Sequence, residues 1–226
     1  CDGVWVEGEH GPLSFSELGN LSRACDLWGV TSLARVCKSC DKVDENVIYR
    51  YLDGGFQGVV VPHVNTKEEA EVVAAATKFK TKEFPGGRRG MWVSRQGYGV
   101  KDYFMQANAT TMSVILIEDI VAVENLDEIL TVDGIDVFQI AFADLAQSMG
   151  YLHDLQHPEV RRVTKEAIAK IVAAGRVAGS TPVTTEQAKE HYAHGVRFFY
   201  AQPLVHAASG LREQIAAIIP DHHSLA

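Results

Sequence analysis

Two acidic residues follow apolar runs in a way that calls for chemistry. Glu118 comes directly after Val114-Ile-Leu-Ile117, and Asp144 stands in Ala141-Phe-Ala-Asp-Leu145, after the next apolar run. A carboxylate at such a place is costly if left ionised without a partner. A neighbouring lysine or arginine satisfies Glu118 in a purely structural reading, and a helix-capping role over 145–149 does the same for Asp144. Placed together, they form a two-carboxylate oxygen site. Hard oxygen donors with coordination positions left open suit Mg2+ or Mn2+ and a chelating substrate better than zinc.

Three further residues belong with them. His10 lies between Glu7 and Glu9 in a short acidic segment, which suits a general base whose ring is oriented by a carboxylate; the alternative is a surface histidine in an ion pair. Arg35 ends an apolar run, where its guanidinium needs an anion: a buried carboxylate in one reading, a substrate oxyanion in the other. The other histidines, His63 among them, are weaker candidates, and no lysine ends a strand as a Schiff-base nucleophile would. Cys37-Lys-Ser-Cys40 has the spacing of half a zinc site, but no second pair completes four ligands, so the two read as unrelated thiols.

These residues need a frame, and the periodicity supplies it. Short β-rich runs occur at 3–9, 31–36, 58–62, 113–118, 137–141, 176–179 and 196–201. Between them lie helical patterns at 14–26, 45–54, 67–77, 121–130, 159–174, 185–195 and 207–219. Ser14-Phe-Ser-Glu17 and Thr66-Lys-Glu-Glu69 read as helix starts with capping boxes. Near-continuous strands such as Gly58-Val-Val-Val61 fit a parallel sheet covered on both faces. Strand and helix alternate throughout, which means an α/β fold. After the first strand comes Glu7-Gly-Glu-His-Gly-Pro12, without the GxGxxG spacing of an open nucleotide-binding sheet.

A closed (β/α)8 TIM barrel is therefore favoured. It needs eight strands where seven are visible. The chain runs from Cys1 straight into a strand, so a first βα unit upstream is expected. In a barrel the active site forms at the carboxyl ends of the strands, where Glu7, His10, Arg35, Glu118 and Asp144 all fall. The glycine-rich, basic turn Phe84-Pro-Gly-Gly-Arg-Arg-Gly90 interrupts the alternation over 79–108, and long insertions of this kind are usually functional.

Length and charge bound the rest. The chain has 226 residues, 46% of them hydrophobic and 22% charged, with mean hydropathy near zero. Disorder and low-complexity readings fail on that balance, and a single domain over 1–226 is within the range of about 200–250 residues for one barrel. The net charge of −8 argues against nucleic acid or an anionic membrane as partner. No apolar run reaches the roughly 18–20 residues of a membrane span, and four cysteines are too few for a disulfide scaffold, so a cytoplasmic protein is expected.

The motifs together resemble one family. Val4-Trp-Val-Glu-Gly-Glu-His-Gly-Pro12, Leu33-Ala-Arg-Val36, Gly58-Val-Val-Val-Pro-His-Val-Asn-Thr66, Gly87-Arg-Arg-Gly90, Ile117-Glu118, Ala122-Val-Glu-Asn-Leu126 and Ala143-Asp-Leu-Ala-Gln-Ser-Met-Gly150 are similar, in order, to the HpcH/HpaI family of metal-dependent pyruvate aldolases. The resemblance implies a (β/α)8 barrel, here short of its first unit, assembled as a homohexamer that exchanges its last helix. It implies Glu118 and Asp144 as ligands of a divalent metal, Mg2+ or Mn2+ with Co2+ or Zn2+ as further options. His10 becomes the acid/base residue, acting through a metal-bound water, with Glu7 orienting it. Arg35 becomes the stabiliser of the enolate oxygen, the backbone at Ala143 and Asp144 the holder of the pyruvate carboxylate, and Arg89 a residue near the mouth.

The implied reaction is reversible cleavage of a 4-hydroxy-2-oxo acid to pyruvate and an aldehyde. A decarboxylase acting on a related 2-oxo diacid and a non-catalytic barrel are the competing readings. The sequence departs from the family at Glu7, where aspartate is usual, at Leu116 in place of a common glutamine, and at Ala141-Phe142 in place of Gly-Pro. These departures bear on substrate identity more than on metal or fold.

Overall fold

The computed structural model describes residues 1–38 and 42–219. Valine- and isoleucine-rich runs form seven strands: β1 Gly3–Glu7, β2 Thr31–Arg35, β3 Gly58–Val61, β4 Met112–Ile117, β5 Val137–Ile140, β6 Val177–Ser180 and β7 Phe198–Phe199. The helices are α1 Leu18–Leu27, α2 Glu45–Asp53, α3 Lys67–Thr77, α4 Tyr103–Thr110, α5 Ile120–Glu124, α6 Leu126–Ile129, α7 Phe142–Ser148, α8 Pro158–Ala173, α9 Thr185–Ala193 and α10 Pro203–Ile218. Several start where capping chemistry dictates. The Asp44, Thr66 and Thr184 side chains accept the N–H groups of Asn46, Glu69 and Gln187, each cap contributing about 1 kcal/mol.

All six strand pairings are parallel, and the strands lie side by side in sequence order. An open doubly wound sheet reverses its strand order; this one does not. Instead it curls. Leu33, Val60, Val114, Leu116 and Val137 from β2 to β5 meet Trp5 of β1 and Phe198 of β7 in one apolar cluster, which requires the concave faces of all these strands to point at one another. Across the sheet edges, the Trp5 and Tyr200 rings lie 4.3 Å apart between centroids. A second, larger layer of apolar side chains fills the space between the convex face and the helices.

Phe138 sits in that outer layer, fully buried, on the convex face of β5. Phe138→Ala removes a large apolar group from a site that cannot collapse onto the gap. Urea unfolding is expected to show a loss of about 3–5 kcal/mol; a loss under about 1 kcal/mol would mean that this layer is not close-packed.

The observed elements refine several expectations. The Ser14–Glu17 box forms, with Ser14 donating its N–H and hydroxyl to the Glu17 carboxylate, but it closes a turn, and α1 begins only at Leu18. The helix expected over 121–130 breaks in two at Asn125, whose side-chain amide donates to the Asn65 carbonyl. Asp144 lies inside the first turn of α7 and makes no capping hydrogen bond. The insertion at 79–108 holds a short 3-10 turn, Arg95–Gly97, and then α4. Cys40 lies outside the described residues, whereas Cys1 and Cys25 carry free thiols.

Candidate active site at the carboxyl edge of the sheet

Side chains alternate along a strand, so the register fixes which residues share the concave face. Trp5 pairs with Leu33, and Glu7 with Arg35 two residues on. In the same way Leu116 pairs with Gln139, and Gln139 with Gly179. Two residues after Leu116, just past the end of β4, comes Glu118. The sequence thereby delivers Glu7, Arg35 and Glu118 to one end of the curled sheet, the end where the strands finish.

Glu118 is only 2% exposed. Its Oε1 accepts the His63 backbone N–H at 2.7 Å, and the His63 ring Nδ1 lies 3.3 Å from the same oxygen. His63 has φ of 51°, the left-handed region that favours glycine. The Glu118 carboxyl is pushed up to about 7, chiefly by burial and further by Asp144 and Glu9, against the pull of the His63 ring and N–H. Among the described residues no lysine or arginine nitrogen comes within ion-pair distance of Glu118.

Arg35 is held from two sides. Its Nε donates to Glu7 Oε2 at 2.8 Å, its Nη2 lies 2.7 Å from the same oxygen, and its Nη1 lies 3.2 Å from Glu9 Oε2. Burial draws the guanidinium down, but Glu7, Glu9 and Glu118 outweigh it, so Arg35 holds its charge more firmly than usual. Glu7 shows the converse: burial raises its carboxyl, yet hydrogen bonds from Arg35 and from the His10 and Glu9 N–H groups bring it below its ordinary value.

Glu7 thus corrects one expectation. Its free oxygen takes the N–H groups of its own turn, and its other oxygen takes Arg35, so it does not orient the His10 ring. The carboxylate nearest that ring is Glu9, 3.6 Å from His10 Nε2, and the His10 side chain is 73% exposed. Glu9 also stands 4.0 Å from His63 Nε2. Sequence reasoning treated Glu9 as a flank and ranked His63 low; the signal for both was their position at strand ends.

Arg89 requires a second correction. It is buried, 3.6 Å from Asp53 at the end of α2, with its guanidinium over the Phe79 ring and its N–H on the Lys78 carbonyl. Helices run back against the strands, so the ends of α2 and α3 mark the opposite edge of the sheet. Arg89 supports that edge and is not at the mouth. Ala143 and Asp144, by contrast, line a cavity of about 330 Å3 together with Arg35, Gln139, Thr181 and Tyr200.

The donor set can be tested against a divalent cation. Glu7, Glu9, Glu118 and Asp144 face a single guanidinium, an excess of negative charge that a cation offsets. Asp144 is near enough to raise Glu118, and both offer only oxygen. Among the described residues no third metal-type side chain converges with them. Two carboxylates with the other positions left to water and substrate fit a hard ion of the Mg2+ type.

A curled parallel sheet that gathers carboxylates, an arginine and an open cavity at the ends of its strands has these groups where the active sites of α/β barrel enzymes lie. The family model for HpcH/HpaI aldolase/citrate lyase matches residues 1–202. The 2-keto-3-deoxy-L-rhamnonate aldolase of Shigella sonnei (strain Ss046) is 33% identical over 202 residues, covering 87% of this chain and 72% of that protein. Its counterpart from Salmonella gallinarum (strain 287/91 / NCTC 13346) is 34% identical over the same shares. The crystal structure of an HpcH/HpaI aldolase/citrate lyase family protein from Burkholderia cenocepacia J2315 matches the fold with TM-score 0.86 and 24% identity, over 96% of this chain and 85% of that one. The chain belongs to the HpcH/HpaI aldolase/citrate lyase family, and it is a carbon–carbon lyase.

Proposed function

We infer that the protein is a divalent-metal-dependent aldolase that reversibly cleaves a 4-hydroxy-2-oxo acid to pyruvate and an aldehyde. The observation that carries this reading is Glu118, a buried carboxylate with no lysine or arginine within ion-pair distance among the described residues, close to Asp144 at the mouth of the cavity. Glu118 and Asp144 hold the ion. When bound, it supplies Lewis acidity toward the keto oxygen of the substrate.

The chain's own groups do the rest. Arg35, fixed by Glu7 and Glu9, points N–H bonds at the oxygen that gains negative charge, and a preset donor of this kind costs no reorganisation during reaction. His10 Nε2 takes the proton of the C4 hydroxyl as the bond breaks, and Glu9 Oε2 balances the imidazolium that results. The N–H groups of Ala143 and Asp144, in the first turn of α7 and so free of intrahelical partners, receive the substrate carboxylate.

The same reading takes the sheet as seven strands of one (β/α)8 barrel domain over 1–226, supported by the facing edges at Trp5 and Tyr200. It takes the enzyme as a cytoplasmic homo-oligomer, with a hexamer as the form to test first. In support, α10 buries none of its residues and leaves Leu204, Leu211 and Ile218 open, and no helix among the described residues is long and apolar enough to cross a membrane.

Chelation gives the direct test. Pyruvate release from a 4-hydroxy-2-oxo acid, followed through lactate dehydrogenase, is expected to fall to background in EDTA and to return with excess Mg2+ or Mn2+. Activity that persists in EDTA would remove the metal from the mechanism.

A further inference from the structure

The cavity has two kinds of wall. Toward the strand ends it carries Arg35, Asp144, Gln139 and Thr181; inside the rim the other wall is mostly hydrocarbon. Arg35 is the single lysine or arginine among the described lining residues, and its charge is already shared between Glu7 and Glu9. A second carboxylate on the substrate would find no free cation there, only Asp144. Gln202 and His206 stand at the exposed rim.

Two buried polar atoms of the lining have no partner among the described residues: Trp5 Nε1, a donor, and Gln139 Oε1, an acceptor. The Gln139 residue is 1% exposed, and its Nε2 is occupied by Thr181 Oγ1 at 2.9 Å. Both atoms are closed off from the cavity, and Gln139 Oε1 packs against Gly179, so neither presents a ready partner to a polar substrate group. A chain of several hydroxyls would leave some of them against hydrocarbon at the cost of lost hydrogen bonds to water.

We propose that the aldehyde half of the substrate is uncharged and largely hydrocarbon, seated against Trp5, Leu116, Phe142, Leu155, Val183 and Tyr200. This rests on the aldolase reading and narrows it. Phe142 is the specificity-determining residue: its side chain lines the same cavity as Ala143, Asp144 and Arg35, so it bounds the space open to the aldehyde. Each additional methylene buried against such a wall raises kcat/KM roughly fourfold, equivalent to about 0.8 kcal/mol.

The experiment uses the full chain with Mn2+ and runs the reaction in the direction of synthesis. Pyruvate is offered with propanal, butanal, hexanal, glyceraldehyde or succinate semialdehyde, and kcat/KM is measured for each. In parallel, exchange of the pyruvate C3 protons in D2O is followed by NMR, which reads proton removal from pyruvate without any aldehyde. The expected result is metal-dependent exchange, a rise from propanal to hexanal, and at least about a tenfold advantage of hexanal over glyceraldehyde and succinate semialdehyde. Exchange with succinate semialdehyde or glyceraldehyde preferred, or with no hydrocarbon aldehyde accepted, overturns the proposal and leaves the aldolase reading intact. Absence of exchange overturns both. In Phe142→Ala the hexanal-to-propanal ratio is expected to fall about tenfold, whereas a merely destabilised variant would lose both activities equally and leave the ratio unchanged.

Discussion

Replacing Glu118 with glutamine is expected to lower kcat/KM by about a thousandfold or more and to weaken Mn2+ binding by at least about a hundredfold, without loss of fold stability. Glutamine has the same shape and keeps the carbonyl oxygen that accepts the His63 N–H. What it removes is a charge buried beside a histidine ring and like-charged Asp144 and Glu9, with Arg35 near but, among the described residues, no lysine or arginine within ion-pair distance. In the absence of metal that charge is a burden, because burial of an ion without a cation costs more than burial of an amide. The variant should therefore melt at the same temperature as the parent or above it in metal-free buffer. Isothermal titration with Mn2+ and a thermal melt in EDTA separate the possibilities. Unchanged Mn2+ affinity would remove Glu118 from the metal site, and a lower melting temperature in EDTA would make its role structural.

The frame of this site was open to reading from the chain. Apolar runs and capped helices placed all seven strands to within a few residues, because the central strands β3 to β5 are buried on both faces and the outer ones still carry short β-rich runs. The same runs placed Glu7, Arg35 and Glu118 at strand ends. What did not follow was which side chain meets which. Glu7 lies three residues from His10, close enough to suggest a carboxylate–imidazole pair, yet a chain that turns so tightly offers its own N–H groups first. Glu9 and His63 meet across two loops, a contact set by the φ of 51° at His63 that no local pattern announces. Arg89 looked like a mouth residue because its turn is glycine-rich and basic. The Arg88 N–H bonded to the Ala75 carbonyl and the Arg89 N–H bonded to the Lys78 carbonyl tie that turn to the far end of α3 instead. Local periodicity carries the elements; long-range pairing carries the site.

Arg35 tests that pairing most directly, because its role depends on geometry as well as charge. Arg35→Lys keeps the positive charge and is expected to lower kcat by about a hundred- to a thousandfold while leaving Mn2+ affinity nearly unchanged. The guanidinium reaches Glu7 through Nε and Nη2 and Glu9 through Nη1, and its planar fork still leaves N–H bonds over for substrate. An ammonium has three donors at one point and cannot bridge both carboxylates and also face the substrate oxygen. The loss should fall on kcat more than on KM, since the negative charge that Arg35 meets develops as the carbon–carbon bond breaks. Arg35→Met is the harsher companion: it leaves Glu7 and Glu9 facing each other without a cation, and it should lower the melting temperature as well as activity. The lysine variant therefore isolates chemistry from stability. If it retained kcat within about threefold of the parent, a point charge would suffice, and the arrangement of Glu7 and Glu9 around the guanidinium would serve the fold of the β1 turn and not the reaction.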